Sequence, residues 1–334
     1  MRSFAFSRAI DFASLPERAA LSGKSNYVAG GTTLLDLVKL NVMQPGEVID
    51  ISRLPLSEMS ERVDGGLRIG ALVRNSTLAW DRRVRVRYPV LAEALLSGAS
   101  PQIRNMATTG GNILQRTRCP YFRDNISPCN KREPRSGCAA LDGYNRSHAV
   151  LGGSDACVAT HPSDLCGALA ALEADVIVRT QSGERRIAFD DFHLLPGSTP
   201  HRENVLEPGE LIVAVELPPP HAGARSWYLK TRDRESYEFA LASAAVILRV
   251  ENGVIKFVRI ALGGVGTKPW RCRAAEALLE GTIPSPEIFK SAARAIFATA
   301  RPLAHNAFKI PLAERVLVHV LTLLLKDQPA VRHL

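Results

Sequence analysis

Four of the chain's six cysteines, Cys119, Cys129, Cys138 and Cys157, fall within 39 residues in the spacing C-x9-C-x8-C-x18-C. Between the first and the last run Pro120, Pro128, Asn130, Pro134 and Gly137, together with five basic residues. That composition has neither the 3.6-residue period of a packed helix nor the alternation of a strand. A structureless loop of this length is uncommon inside a compact domain. Something other than a hydrophobic core must hold it, and a metal centre would do so.

Three readings of the thiols compete. Cysteine as a small buried apolar residue suits Cys166, in the run L-C-G-A-L-A-A-L, and Cys272, beside a helix start. It suits the other four less well, because their neighbours are mostly polar, basic, Gly or Pro. Disulfides are the second reading, but a chain of 334 residues buries enough core to need no staples, and its first residues show no export signal. Zinc is the third. Structural zinc sites usually draw ligands in close pairs such as C-x2-C, and no such pair occurs here. Wide single spacings are easier for a cubane, whose irons each take one thiolate from a different direction. A [4Fe–4S] cluster is therefore favoured, with zinc as the alternative. From Arg116 to Arg135, the basic residues Arg116, Arg118, Arg123, Lys131, Arg132 and Arg135 outnumber Asp124 and Glu133. Cationic surroundings stabilise an anionic cluster, although a solvated basic loop has the same composition.

The chain is 46% hydrophobic and 22% charged, as expected of two or three folded units each with its own core. No apolar stretch reaches about 18 residues, so no membrane insertion is expected. The net charge of +9 comes from scattered residues without a nucleic-acid motif. A basic face for a protein partner or an anionic cofactor is the better reading.

In order, the first fifty residues read as β-α-β-α-β. Strands are expected over Ser3–Phe6, Asn26–Ala29 and Glu47–Ile51, and a helix capped by Ser14 runs through Glu17 to Leu21. Gly30-Gly31-Thr32-Thr33 then opens a second helix with Leu34, Leu35, Leu37, Val38 and Leu40. Glycines let a backbone come close to a ligand, and the N–H groups of a helix start suit a phosphate. By itself this is also an ordinary β-turn-α corner. It matches neither G-x-G-x-x-G nor the P-loop. A second unit has strands at Leu67–Leu72 and Leu211–Leu217, helices from Ser76 and over Tyr88–Leu96, the turn T-T-G-G-N at Thr108–Asn112, and a helix over Leu165–Leu172 capped by Ser163. A hairpin spans Ala174–Arg179 and Arg185–Phe189. After Pro218-Pro219-Pro220, a last unit has strands Tyr228–Lys230, Phe239–Val250 and Val254–Gly263, the latter two joined by an Asn252-Gly253 turn. Its helices are expected over Ala274–Leu279, Pro286–Ala298 and Leu312–Leu325. The apolar stretch Val316–Leu325 suggests burial or a subunit contact.

Five short motifs occur in order: A-G-G-T-T-L-L at Ala29–Leu35, R-N-x-A-T-T-G-G-N-I at Arg104–Ile113, P-S-D at Pro162–Asp164, P-G-E-L-I at Pro208–Ile212 and Y-L-K-T-R at Tyr228–Arg232. Together they resemble the FAD-binding subunit of molybdenum hydroxylases, of the xanthine dehydrogenase and carbon monoxide dehydrogenase flavoprotein type, over nearly the whole chain. The forty or so residues inserted between G-G-N and S-D look like the insertion in the FAD subunit of bacterial periplasmic aldehyde oxidoreductases, which carries a [4Fe–4S] cluster. A related insertion marks the 4-hydroxybenzoyl-CoA reductase flavin subunit.

The resemblance implies an α+β fold: a two-subdomain FAD-binding unit of the vanillyl-alcohol-oxidase-like (PCMH) type, followed by a C-terminal α+β domain of the CO dehydrogenase flavoprotein type. The expected units are 1–55, 56–220 with an iron–sulfur insertion at about 115–158, and 226–330. Asn26, Tyr27, Val28, Ala29, Gly30, Gly31, Thr32, Thr33 and Leu34 would surround the FAD pyrophosphate. Thr108, Gly111 and Asn112 would line the flavin and its phosphates, Asp164 would hold a hydroxyl-bearing part of FAD, and Ile212 would meet the ring through its backbone. Lys230 would lie near the ring, where a cation stabilises reduced, anionic flavin. Cys119, Cys129, Cys138 and Cys157 would ligate the cluster. His161 matches no role in the family and is read as structural.

The chain itself would contain no catalytic residue for substrate oxidation. It would act as an electron-transfer subunit of a heterotrimer, with a molybdenum-cofactor large subunit and a small subunit carrying [2Fe–2S] clusters, and would pass electrons through FAD to an external acceptor. An aldehyde oxidoreductase is the first reading. A 4-hydroxybenzoyl-CoA-reductase-like flavin subunit, or a stand-alone flavoprotein with a structural zinc loop, is the alternative. The expected location is periplasmic, by folded export on a partner's signal, and otherwise cytoplasmic.

Overall fold

The computed structural model describes residues 1–13, 15, 25–180 and 182–326. The expected helix from Ser14 through Glu17 to Leu21 lies outside the described residues, apart from Leu15. Three sheets follow one another along the chain. The first is parallel, with β1 (Ala5–Arg8), β2 (Ser25–Val28) and β3 (Glu47–Asp50) in the order β1-β3-β2. The carboxylate of Glu47 joins the strands, accepting from Ser7 Oγ at 2.8 Å and Ser25 Oγ at 2.9 Å. Helix Leu34–Lys39 makes the crossover from β2 to β3.

The second sheet is antiparallel, with β4 (Met59–Glu61), β5 (Leu67–Gly70), β6 (Asp175–Thr180), β7 (Gly183–Ala188) and β8 (Leu211–Leu217) in the order β4-β5-β8-β6-β7. All seven residues of central β8, L-I-V-A-V-E-L, are buried. Its one charge, Glu216, is compensated by Arg68 at 2.7 Å and by Arg186. Helices Pro89–Ser97 and Asp164–Ala171 share a core with this sheet.

The third sheet, β9 (Arg225–Thr231), β10 (Ala242–Glu251), β11 (Val254–Gly263) and β12 (Trp270–Arg271), is antiparallel in the order β12-β11-β10-β9. Asn252 and Gly253 turn the β10–β11 hairpin with φ of 50° and 75°, the left-handed pair that a two-residue turn needs. Ala244, Val246, Leu248, Ile260 and Leu262 pack with helices Arg273–Leu279, Pro286–Ile296 and Lys309–Leu325. Ala245, Ile247 and Ala261 face the opposite way, into the core of the second unit. Both faces of β10 are therefore buried, which explains its unbroken apolar run. The same alternation on β9 sends Trp227 and Leu229 to the helical side and Tyr228 toward helix Asp164–Ala171.

Several boundaries differ from expectation. β10 begins at Ala242, because Phe239 lies exposed before the strand. The last helix starts at Lys309 rather than Leu312, since Pro311 sits in the first turn, where its missing N–H leaves no bond unmade. Val316, Leu317, Val320, Leu321 and Leu324 of that helix are buried within the chain's own core. β4 and helix Arg82–Arg87 were hidden by short length and by the charged pattern R-R-V-R-V-R. No helix among the described residues is long and apolar enough to cross a membrane.

Candidate functional site

The two glycine turns meet. A Cβ on Gly30 would lie 2.0 Å from the Met106 carbonyl oxygen, so the loop after β2 rests directly on the backbone leading into T-T-G-G-N. Gly31 has a φ of 72°, which disfavours a side chain. Thr33 precedes helix Leu34–Lys39 without a side-chain capping bond. Asn26, Tyr27 and Val28 belong to β2, and the Tyr27 hydroxyl donates to the carbonyls of Leu15 at 3.3 Å and Gly209 at 3.1 Å. Ala29 to Thr33 form the turn itself. Across from it, Thr108 caps the short helix Thr109–Ile113 and accepts from Gly111 N. The N–H groups of Thr109 and Gly110 are taken by the carbonyls of Val73 and Ala71. Gly111 is exposed and Asn112 half-buried beside it.

Asn112 links this turn to the next motif. Its Oδ1 accepts from Ser163 Oγ at 2.7 Å, and Ser163 caps helix Asp164–Ala171. Asp164, the first residue of that helix, accepts from Lys230 Nζ at 2.7 Å and from the Tyr228 hydroxyl at 2.5 Å. Lys230 Nζ also donates to the Ser97 carbonyl at 3.2 Å. Residues 66 positions apart thus form one buried group. Tyr228 is a member that sequence reading missed, although its place two residues before Lys230 on a strand puts it on the same face. Burial, and then the Asp164 carboxylate, hold its phenol well above the ordinary range, so it remains a donor. The Ile212 side chain is buried in the core with Ile113, and its backbone lies opposite Val178 in the β6–β8 pairing.

The cysteine loop is folded around its thiols. Cys129 and Cys138 face each other in an isolated antiparallel bridge, with Asn130 N bonded to the Gly137 carbonyl at 2.7 Å. Cys119 sits at the start of helix Pro120–Arg123, and Cys157 in a bridge to Ser154. All four line one small cavity with Phe122, Lys131 and Ala159, and all six cysteines of the chain are free thiols. Burial pushes the Cys119 thiol up to about 12 and raises Cys157. His148 Nε2 is 3.1 Å from Cys119 Sγ, a neighbour the sequence reading did not single out.

The basic residues serve mainly to anchor this loop. Arg123 and Arg118 bind Asp36 on helix Leu34–Lys39 at 2.7 and 3.3 Å, and Arg116 binds Glu203 at 2.6 Å. Arg132 donates to the carbonyls of Tyr121 and Phe122. Of these, Lys131 lines the thiol cavity. Phe122, fully buried, packs with Leu37, Val42 and Cys129. On the far side, the fully buried Lys309 donates to the carbonyls of Ser147 and His148, both at 3.0 Å. The loop is therefore wedged between the glycine-turn helix and the C-terminal helices.

A cavity of about 980 Å³ lies between helix Pro89–Ser97, Pro218–Pro220 and β9. It shares only Lys230 with the residues expected to hold flavin. The two glycine turns, which meet at Gly30 and Met106, do not line this cavity.

Residues 2–220 match the family model for the FAD binding domain in molybdopterin dehydrogenase, and residues 227–324 that for the CO dehydrogenase flavoprotein C-terminal domain. The chain is 50% identical to the aldehyde oxidoreductase FAD-binding subunit PaoB of Escherichia coli (strain K12), over 96% of this chain and 98% of that one. It is 27% identical to the carbon monoxide dehydrogenase medium chain of Hydrogenophaga pseudoflava, over 86% and 85%. A solved structure of carbon monoxide dehydrogenase from that organism superposes with a TM-score of 0.75, at 27% identity, over 97% of this chain and 98% of that one. The chain belongs to the FAD-binding medium subunits of the molybdenum hydroxylase family.

Proposed function

We propose that the chain is the FAD- and [4Fe–4S]-carrying electron-transfer subunit of a molybdenum-dependent aldehyde oxidoreductase, divided into units 1–55, 56–220 and 226–330. The observation that carries the cluster is the convergence of Cys119, Cys129, Cys138 and Cys157 on one cavity, in a loop bolted to the glycine-turn helix. Zinc fits less well. A tetrahedral ion with thiolate bonds of ordinary length brings its sulfurs to about 3.8 Å of one another. Among the described residues no three of these thiols gather within 4.8 Å. A cubane offers four irons, each taking one thiolate from a different direction.

In this reading the flavin and the cluster supply one- and two-electron carriers. The chain's residues bind and orient them. Gly30 and Gly31 admit the pyrophosphate to the backbone, and Thr32, Thr33 and Leu34 offer hydroxyl and N–H donors. Gly111 and Asn112 line the opposite wall. The Oδ1 of Asn112 accepts from Ser163 Oγ, which would leave its amide NH2 to donate to the cofactor. Lys230, paired with Asp164, sets a fixed positive charge near the ring. Ile212 offers backbone only.

Substrate oxidation is assigned to a molybdenum-cofactor large subunit, and electron delivery to a small [2Fe–2S] subunit, in a heterotrimer that reduces an external acceptor. A periplasmic complex exported folded on a partner's signal is the location that the PaoB-like resemblance favours.

The test is an absorption spectrum with iron and acid-labile sulfide analysis of anaerobically purified chain. About four irons and four sulfides per chain over flavin bands support the relay. Flavin with one zinc and no iron keeps the flavoprotein and removes the relay.

A further inference from the structure

Outside the flavin cradle and the four-thiol loop, one other group of metal-ligating atoms converges. His161, Cys166 and His193 each bring one ligand atom within 4.8 Å of the others, the sole such group among the described residues. They come from three places in the chain. His161 precedes the cap of helix Asp164–Ala171, Cys166 lies in its first turn, and His193 follows the short helix Phe189–Phe192. The two imidazoles meet edge to face with centroids 4.5 Å apart.

The hydrogen bonds of the rings identify their bare nitrogens. His193 Nε2 lies 3.2 Å from the Ile113 carbonyl, which can only accept, so Nε2 carries the proton. Its Nδ1 is then a lone pair, and it is buried without a hydrogen bond in a residue only 6% exposed. A buried polar atom left unpartnered is uncommon in a folded protein and calls for a reason. In His161, Nδ1 accepts a long bond of 3.3 Å from Ser163 N, so Nδ1 is again the unprotonated nitrogen. An ion would replace that long contact. Cys166 Sγ supplies the anionic ligand once an ion displaces its proton.

We propose that His161, Cys166 and His193 form a second metal site, a site of two nitrogens and one sulfur for Zn2+ that takes no ligand from the four-thiol set. Two imidazoles and one thiolate suit a borderline-soft ion, and three protein ligands leave a fourth position open. Both histidines line a cavity of about 40 Å³, large enough for a water in that position. The ion would tie the start of the helix bearing Asp164 to the segment after Phe192. It would thereby fix the residue that positions Lys230.

The test compares zinc and iron content of the full-length chain with that of Cys166→Ser and His193→Gln, each exposed to equimolar Zn2+ and desalted. The glutamine keeps a donor for the Ile113 carbonyl. Each variant is expected to hold about one zinc fewer than the parent, with iron unchanged, whatever the loop contains. Equal zinc in all three overturns the site. Should Cys166→Ser fail to retain flavin, Co2+ titration of a Cys129→Ser, Cys138→Ser chain decides. A thiolate-to-cobalt charge-transfer band that vanishes on adding His193→Gln supports the site, and an absent or unaltered band refutes it.

Discussion

Lys230 Nζ and Asp164 Oδ2 lie 2.7 Å apart, with 3% and 9% of their side chains exposed, so the C-terminal sheet reaches the flavin-binding unit through a buried ion pair. Removing one partner strands the other charge, which in buried pairs costs about 3–5 kcal/mol. Lys230→Met should lower the thermal midpoint and the flavin content together. The double variant with Asp164→Asn should regain part of the lost stability. A Lys230→Met chain that melts like the parent would show that the pair contributes nothing to the join.

Gly30→Ala places a methyl against the Met106 carbonyl oxygen, a backbone atom that cannot swing aside. The turn must shift to accommodate it. Strain of about 1–3 kcal/mol delivered at the cradle translates to roughly tenfold or weaker FAD retention. Equilibrium dialysis against FAD reads this directly, and circular dichroism separates it from unfolding.

Cys129→Ser should abolish iron binding, whereas Cys166→Ser should leave iron unchanged. Cys129 lines the four-thiol cavity, and Cys166 lies on helix Asp164–Ala171 in a different core cluster. Iron and sulfide analysis of the two purified variants is sufficient, and equal iron in both would defeat the ligand assignment.

Glu93 lines the large cavity and accepts from Tyr228 N at 2.7 Å. Burial raises its carboxyl from 4.5 to about 7. The folded state therefore binds this proton more tightly than the unfolded chain. Stability from this group is undiminished below pH 4.5 and falls as pH rises through 4.5 to about 7, then levels off. The penalty at high pH is on the order of 3 kcal/mol. Glu93→Gln keeps the acceptor and removes the charge, so it should be the more stable protein above pH 7 and lose that advantage near pH 4.5. Parallel stability curves across that range would contradict the assignment.

The isolated chain should not oxidise aldehydes, because substrate oxidation is assigned to a separate molybdenum subunit. Aldehyde turnover by the purified chain with an artificial acceptor would overturn that division of labour.

Local chemistry was enough to read much of this protein. The glycine turns, the cap at Ser163, the Asn252-Gly253 hairpin and the apolar strands were legible because each depends on residues a few positions apart. The ordered motifs pointed to the family, and the non-periodic cysteine loop to a metal centre. Long-range pairing was not legible. Tyr228 joined Asp164, Arg123 joined Asp36, and His193 met His161 and Cys166 only because β9, the inserted loop and the segment after Phe192 pack onto the same two helices. Composition suggested a basic loop around a cluster, yet most of those cations are spent on anchoring it. A sequence states which charges exist, but only tertiary packing brings charges from distant segments together and determines which are paired out of water.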